Sequence, residues 1–117
     1  MGGRLSDEFR NRTKAFASKV IRLYVSLPKS DHVRVCGKQL LRSGTSVAAQ
    51  AREASRARSN AEFKSKLGGA LQEADESLLW LELLTEDCGI SNSQINPLHA
   101  EGNALIAIIT TMIKRTK

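Results

Sequence analysis

The segment from Ser59 to Cys88 carries the longest regular apolar pattern in the chain. Small or apolar residues recur there at alternating spacings of four and three, which places them on one face of a helix. Ser59 and Glu62 have the spacing of a capping box at one end, and Gly89 followed by Ile90 favours a left-handed stop at the other. A helix of about 30 residues is about 45 Å long and needs partners along its length. The pattern therefore predicts a helix over residues 59–88 at the centre of a bundle. The residues of the stripe are Phe63, Leu67, Ala70, Ala74, Ser77, Leu81, Leu84 and Cys88.

Two further helices have clear end signals. Ser6 can cap a helix over residues 6–27, which must end before Pro28 because the residue preceding a proline avoids the α region. Asn96 followed by Pro97 has the pattern of a capping residue with proline at the first helical position. This pair predicts a last helix over residues 97–115.

The remaining helix, over residues 31–55, has a stripe made mostly of small residues. Gly37 and Gly44 lie within it, and each costs a helix about 1 kcal/mol relative to alanine. Close packing against another helix would offset that cost. With 117 residues and short links between the helices, the chain is predicted to form one all-α domain over 1–117, an antiparallel up-down-up-down four-helix bundle.

Charge is distributed unevenly along the chain. Residues 9–66 contain 14 Lys and Arg against three acids, a net charge of +11, whereas residues 67–113 contain seven acids and no Lys or Arg. Such asymmetry indicates an anionic partner for the basic half. The alternative is that the two halves neutralise each other, within the fold or between subunits.

The basic residues of the second helix and the link after it are the candidate nucleic-acid site. Three of them follow each other at i, i+4 and i+8 and so share one helix face. Positive rows of this kind bind phosphate backbones through counterion release. No aromatic residue is expected among the exposed basic positions, so little sequence preference is predicted. The candidate residues are Arg34, Lys38, Arg42, Arg52, Arg56 and Arg58, with further positive charge on the first helix from Arg10, Arg12, Lys14, Lys19 and Arg22.

The third and fourth helices have more apolar residues than one buried stripe requires. A helix that is apolar on several sides is buried on several sides, so the surplus predicts an interface between identical subunits. Scattered exposed apolar residues, which are common on protein surfaces, are the alternative. The candidate interface residues are Trp80, Leu83, Ile106 and Ile113.

The residue types that carry catalysis are sparse. His32 and His99 are predicted on different helices, and Glu73 and Glu76 have no Glu-x-x-His pair beside them, so the di-iron bundle pattern is not met. We therefore expect no enzyme activity, no metal and no cofactor. Cys36 and Cys88 are single and far apart in sequence, which favours a reducing cytosol over a disulfide framework. No segment is long and apolar enough for a membrane span.

The run Leu41 to Gln50 continuing to Glu53, the pairs Arg58-Ser59 and Glu62-Phe63, and the segment from Glu73 to Leu81 resemble the bacterial four helix bundle protein family. This family is encoded in intervening sequences of 23S ribosomal RNA genes. The accessory variability determinant of diversity-generating retroelements is a relative. Leu27-Pro28 also matches the end of the family's first helix.

The resemblance implies more than the pattern does. It implies a homopentameric ring of bundles, a basic surface that binds nucleic acid, and ribosomal RNA or a reverse transcriptase as a partner. On this basis the chain is expected to be a cytoplasmic, non-enzymatic accessory protein. A structural or protein-interaction module, whose charged halves serve assembly of the oligomer, is the alternative.

Overall fold

The computed structural model describes residues 3–117, which form four α-helices: α1 Asp7–Ser26, α2 Asp31–Ser55, α3 Asn60–Glu86 and α4 Asn92–Arg115. No strand occurs within this range, so the all-α prediction is confirmed. The first two residues of the predicted domain lie outside the described residues. None of the four helices combines the length and the apolarity that a bilayer crossing requires.

Side-chain caps fix the starts of α1 and α3 where the sequence predicts them. The Ser6 hydroxyl accepts a hydrogen bond from the Phe9 amide at 3.1 Å. At α3, the Ser59 hydroxyl accepts from the Glu62 amide at 3.0 Å, and the Glu62 carboxylate accepts from the Arg58 amide at 2.8 Å. These bonds satisfy amide groups that lack a partner within the helix.

Helix α3 ends at Glu86, two residues before the predicted Cys88. Gly89 has φ of 75°, the left-handed conformation that glycine adopts without a Cβ clash. The Ile90 amide then reaches back to the Leu84 carbonyl at 3.0 Å, and the Ile90 side chain is buried. The predicted left-handed stop at Gly89 is confirmed, although the helix itself ends two residues earlier than predicted.

Helix α4 begins at Asn92, not at residue 97, so the predicted start is wrong by five residues. Ser91 is the residue before the helix, and Pro97 lies inside it. Proline removes one amide donor and its ring crowds the carbonyl four residues earlier, but Pro97 and Ser93 are both exposed to water. Ile95 is only 1% exposed, and its burial favours the additional turn before the proline.

Neighbouring helices run antiparallel. Across α2 and α3, Ser43 faces Ser77, whereas Glu53 further along α2 faces Lys66 earlier in α3. Helix α2 packs on both α1 and α3, and α4 packs mainly on α3, while α1 and α4 are the neighbouring pair with the least contact. The resulting bundle measures 44 × 24 × 21 Å.

The small residues of α2 allow the close packing that the sequence predicts. A Cβ atom added to Gly44 would lie 2.8 Å from Cγ2 of Val20 on α1, and one added to Gly37 would lie 2.9 Å from Cδ1 of Leu27. Both distances are shorter than carbon atoms tolerate. The two glycines therefore bring α1 and α2 together, which sets the groove between these helices.

Candidate nucleic-acid interface

All six predicted nucleic-acid-binding residues, Arg34, Lys38, Arg42, Arg52, Arg56 and Arg58, are exposed. They do not form one cluster. Arg34 and Arg52 are 18 positions apart on α2, which is about 27 Å along the helix axis at 1.5 Å per residue. The six residues therefore lie in three places: near the start of α2, near its middle, and at its end and the link that follows it.

Arg42 is paired with acidic residues of α3. Its Nη2 lies 2.7 Å from Glu76 Oε1, and its Nη1 lies 3.3 Å from each carboxylate oxygen of Glu73. The hydrogen bond and the charge of Glu73, together with the charge of Glu76, raise the pKa of Arg42 above its ordinary value. Two carboxylates thus offset this guanidinium, and less of its charge is left for a polyanion.

Ion pairs between the basic and acidic segments are limited to a few places in residues 3–117. Besides Arg42, Arg12 on α1 joins Glu101 on α4, with Nε to Oε2 at 2.7 Å and Nη2 to Oε1 at 2.9 Å. The Arg12 hydrogen bond lowers the pKa of Glu101. The alternative in which the two halves neutralise each other within the fold therefore applies to Arg12 and Arg42. Arg10, Arg58 and Lys66 pair instead with Asp7, Glu62 and Glu53, which lie outside the acidic segment 67–113.

Four cations from two helices surround a groove between α1 and α2. Arg10 and Lys14 are one turn apart on α1, and Arg52 and Arg56 are one turn apart on α2. Asn11, Thr13, Ala48 and Ala49 also line the groove, which has a volume of about 470 Å³. We call this the α1–α2 basic groove, defined by Arg10, Lys14, Arg52 and Arg56.

The cations of this groove have few protein partners. No carboxylate oxygen of residues 3–117 lies within 4.0 Å of a charged nitrogen of Lys14, Arg52 or Arg56. Arg10 pairs with Asp7 through Nη2, while its buried Nε has no hydrogen-bond partner in that range. Glu53 also lines the groove, but Lys66 Nζ lies 2.7 Å from its carboxylate. The groove is therefore a concave, positively charged site.

Two of the four cations of the α1–α2 basic groove, Arg52 and Arg56, are among the predicted nucleic-acid-binding residues. The other two, Arg10 and Lys14, are predicted only as further positive charge on the first helix. The spacing along α1 shows that these two residues share a face. Which face of α2 they meet depends on the rotation set by the contact of Gly44 with Val20, and helical periodicity alone does not fix that rotation.

The predicted interface residues Trp80, Leu83, Ile106 and Ile113 are all half-buried within the subunit. Trp80, Ile106 and Ile113 pack against the core. The indole Nε1 of Trp80 is buried without a hydrogen-bond partner in residues 3–117. The large apolar side chains with the greatest exposure are instead Ile21, Val25, Val35 and Leu79, at 45%, 76%, 62% and 47%.

The groups that could do chemistry are dispersed. Within the described residues, no three His, Cys, Asp or Glu side chains are arranged to hold a metal ion. His99 Nε2 lies 2.8 Å from Glu82 Oε2, and His32 is exposed on the surface of α2. Cys88 and Cys36 are free thiols, and burial and the nearby Cys36 raise the pKa of Cys88.

Comparison with known proteins places this bundle in a family. The model for "23S rRNA-intervening sequence protein" matches residues 7–111, nearly the whole of the four helices. The chain belongs to this family. The resemblance found in the sequence is confirmed.

A solved structure that is similar to this chain supports the same fold. It is a crystal structure from Bacteroides thetaiotaomicron of a protein with unknown function, assigned to the S23 ribosomal protein family. It is 36% identical to this chain, covers 90% of this chain and 94% of its own, and superposes with a TM-score of 0.83. Curated proteins give no match. The comparisons thus establish the four-helix bundle of this intervening-sequence family.

Proposed function

We propose that this protein is a non-enzymatic accessory protein that binds the phosphate backbone of RNA or DNA. The observation that carries the proposal is the α1–α2 basic groove, where Lys14, Arg52 and Arg56 have no carboxylate within ion-pairing distance in residues 3–117. Membership of a family named for 23S rRNA intervening sequences agrees with a nucleic-acid partner.

The groove favours recognition of backbone over sequence. Its cations come from flexible side chains, and the neutral polar residues that line it are Asn11 and the buried Thr13. Contacts to phosphate fix position and add affinity, but they carry no sequence information. We therefore propose broad binding of nucleic acid, with affinity that falls as salt rises.

Self-association is part of the proposal. The exposed side chains of Ile21, Val35 and Leu79 add to the predicted interface residues Trp80, Leu83, Ile106 and Ile113 as surface that a homo-oligomer would cover. A homopentameric ring would repeat the groove five times and raise avidity without new contacts. In this setting ribosomal RNA or a reverse transcriptase is the proposed partner, and a reducing cytosol, consistent with two free thiols, is the proposed location.

The deciding experiment compares two double variants of equal charge in fluorescence-anisotropy titrations of a labelled single-stranded RNA at several salt concentrations. Arg52→Gln/Arg56→Gln removes half of the groove's charge. Lys114→Gln/Arg115→Gln removes two exposed cations at the end of α4. We expect the groove variant to bind more weakly and to have a salt slope smaller in magnitude by about 1.4, at about 0.7 per lost phosphate contact. The α4 variant should bind nearly as the wild type does. Equal losses in both variants, or affinity independent of salt, would contradict the proposal.

The structural module is the second candidate, and the exposed apolar residues favour it. Light scattering at graded salt separates the two functions. A pentamer of the 12.8 kDa chain has a mass of about 64 kDa. If the complex falls apart as salt rises while RNA binding is absent at every salt concentration, the charged halves serve assembly and the accessory function is rejected.

A further inference from the structure

A second groove lies at the other end of α1 and α2, around the link between them. It has a volume of about 490 Å³ and is lined by Tyr24, Val25 and Pro28 on one side and by Lys29 and Arg34 near the start of α2. Sites for small ligands typically have volumes of about 300–1,000 Å³, with mostly apolar walls and a few polar groups that fix orientation. This groove has that composition.

Tyr24 is held in place against α2. A Cβ atom added to Gly37 would lie 3.2 Å from Cδ1 and 3.4 Å from Cε1 of the tyrosine ring, so the ring lies directly on the α2 backbone. The ring is half-buried, and its hydroxyl has no hydrogen bond within residues 3–117. The exposed part of the Tyr24 side chain lines this open groove.

The surroundings of Tyr24 combine apolar surface with positive charge. Val25 is 76% exposed, which is costly for an aliphatic side chain in water and would be relieved by an apolar cover. Lys29 and Arg34 are exposed, and no carboxylate of residues 3–117 lies within 4.0 Å of their charged nitrogens. A ligand that complements both features carries a flat apolar ring and an anion.

We propose that this groove binds one nucleotide of a single strand, with the base against Tyr24, Val25 and Pro28 and the phosphate beside Lys29 and Arg34. The inference rests on the proposed function, because it assigns part of the same bound strand to a second position on the α1–α2 surface. It adds a base contact to a surface that otherwise binds only backbone. Stacking on an aromatic ring tolerates any base, so the site adds affinity with little sequence preference.

The single tyrosine of the chain makes the test direct. With ring-labelled tyrosine, all tyrosine signals in an NMR spectrum of the wild-type protein belong to Tyr24. Adenosine 5′-monophosphate should shift these signals upfield in a saturable manner, because a stacked base shields the ring protons. Ribose 5-phosphate, which has the phosphate but no base, should leave them unchanged. In Lys29→Gln/Arg34→Gln the affinity for the mononucleotide should fall about tenfold.

Three outcomes would overturn the inference. Tyr24 signals that do not respond to the mononucleotide reject the site, and so does an equal response to ribose 5-phosphate. Tyr24 signals that move on dilution of the protein alone and then ignore the mononucleotide show that a second copy of the chain covers the groove. If RNA binding still depends on Arg52 and Arg56 in any of these cases, the proposed function stands and only the nucleotide site fails.

Discussion

The Arg42 guanidinium on α2 lies 2.7 Å from the Glu76 carboxylate on α3, and Glu73, one turn earlier on α3, contacts the same side chain. Both carboxylates therefore face α2 and offset the charge of Arg42, which lies in the middle of the basic surface of α2. Arg34 and Arg56, on either side of Arg42, have no carboxylate within 4.0 Å in residues 3–117. This arrangement makes the contribution of Arg42 to polyanion binding depend on its acidic neighbours.

Removing those neighbours should strengthen nucleic-acid binding. In Glu73→Gln/Glu76→Gln, the Arg42 side chain loses both carboxylates and becomes available to phosphate, so the salt slope for single-stranded RNA should increase in magnitude by about 0.7. Fluorescence anisotropy at several salt concentrations measures the slope. Asp75→Asn/Glu86→Gln removes the same charge at exposed positions of α3 and is the matched control. If the control has the same effect, net charge alone explains the gain.

Glycine to alanine substitutions should have opposite effects at two helical positions. At Gly44 the new Cβ would lie 2.8 Å from Cγ2 and 3.2 Å from Cβ of Val20, a fully buried residue. At Gly68 it would meet no atom within 4 Å. Overpacking costs about 1–3 kcal/mol, and alanine favours helix by about 1 kcal/mol.

Gly44→Ala should therefore lower the free energy of unfolding by up to about 2 kcal/mol, and Gly68→Ala should raise it by up to about 1 kcal/mol. Urea unfolding followed by circular dichroism measures both. A stabilised Gly44→Ala variant would show that the contact between α1 and α2 is looser than the structure has it.

Most of the fold follows from local signals in the sequence. Apolar or small-residue stripes and end signals identify all four helices, and the Ser6 and Ser59 caps fix two of their starts. The start of α4 could not be predicted this way. Asn96-Pro97 has the local pattern of a helix start, but the burial of Ile95 favours a helix that begins before this pair.

The candidate site could be predicted only in part. Charge patterning identifies the basic residues of α1 and α2, but it does not show which of them meet across the helices or which are paired with acids. Arg42 and Arg56 are both exposed arginines of the same region, and their difference arises from the position of Glu73 and Glu76 on α3. Such differences depend on helix rotation, which is a property of the packed bundle.

A pair of hydroxyls in the α2–α3 interface should show measurable coupling. Ser43 and Ser77 are fully buried with their Oγ atoms 2.8 Å apart, and Ser77 Oγ also donates to the Glu73 carbonyl at 2.8 Å. Ser77→Ala removes the bond between the two hydroxyls, leaves Ser43 Oγ with the longer bond to the Leu40 carbonyl at 3.3 Å, and should cost about 1 kcal/mol.

The double variant Ser43→Ala/Ser77→Ala leaves neither hydroxyl without a partner. It should be less destabilised than the sum of the two single variants. Urea unfolding of the four proteins completes the cycle. Strict additivity would mean that the two hydroxyls do not form a hydrogen bond.

The ion pair between Arg12 and Glu101 should make stability depend on pH. It joins α1 to α4, which are the neighbouring helix pair with the least contact. The Arg12 hydrogen bond lowers the pKa of Glu101 below its unfolded value, which is about 4.3. The folded state therefore binds this proton less readily than the unfolded state does. The resulting stabilisation is present above the unfolded pKa and is lost as pH falls through the folded pKa.

Arg12→Gln should reduce the free energy of unfolding at pH 7 by less than about 1 kcal/mol, because the Arg12 side chain is 41% exposed and water screens the pair. The difference from the wild type should shrink in acid, as Glu101 becomes protonated in both proteins. Urea unfolding at pH 7 and at successively lower pH measures it. Arg22→Gln, an exposed cation of α1 with no ion pair in residues 3–117, is the control and should show no such convergence. A constant difference between Arg12→Gln and the wild type over this range would mean that the charge of Glu101 is not the source of the stabilisation.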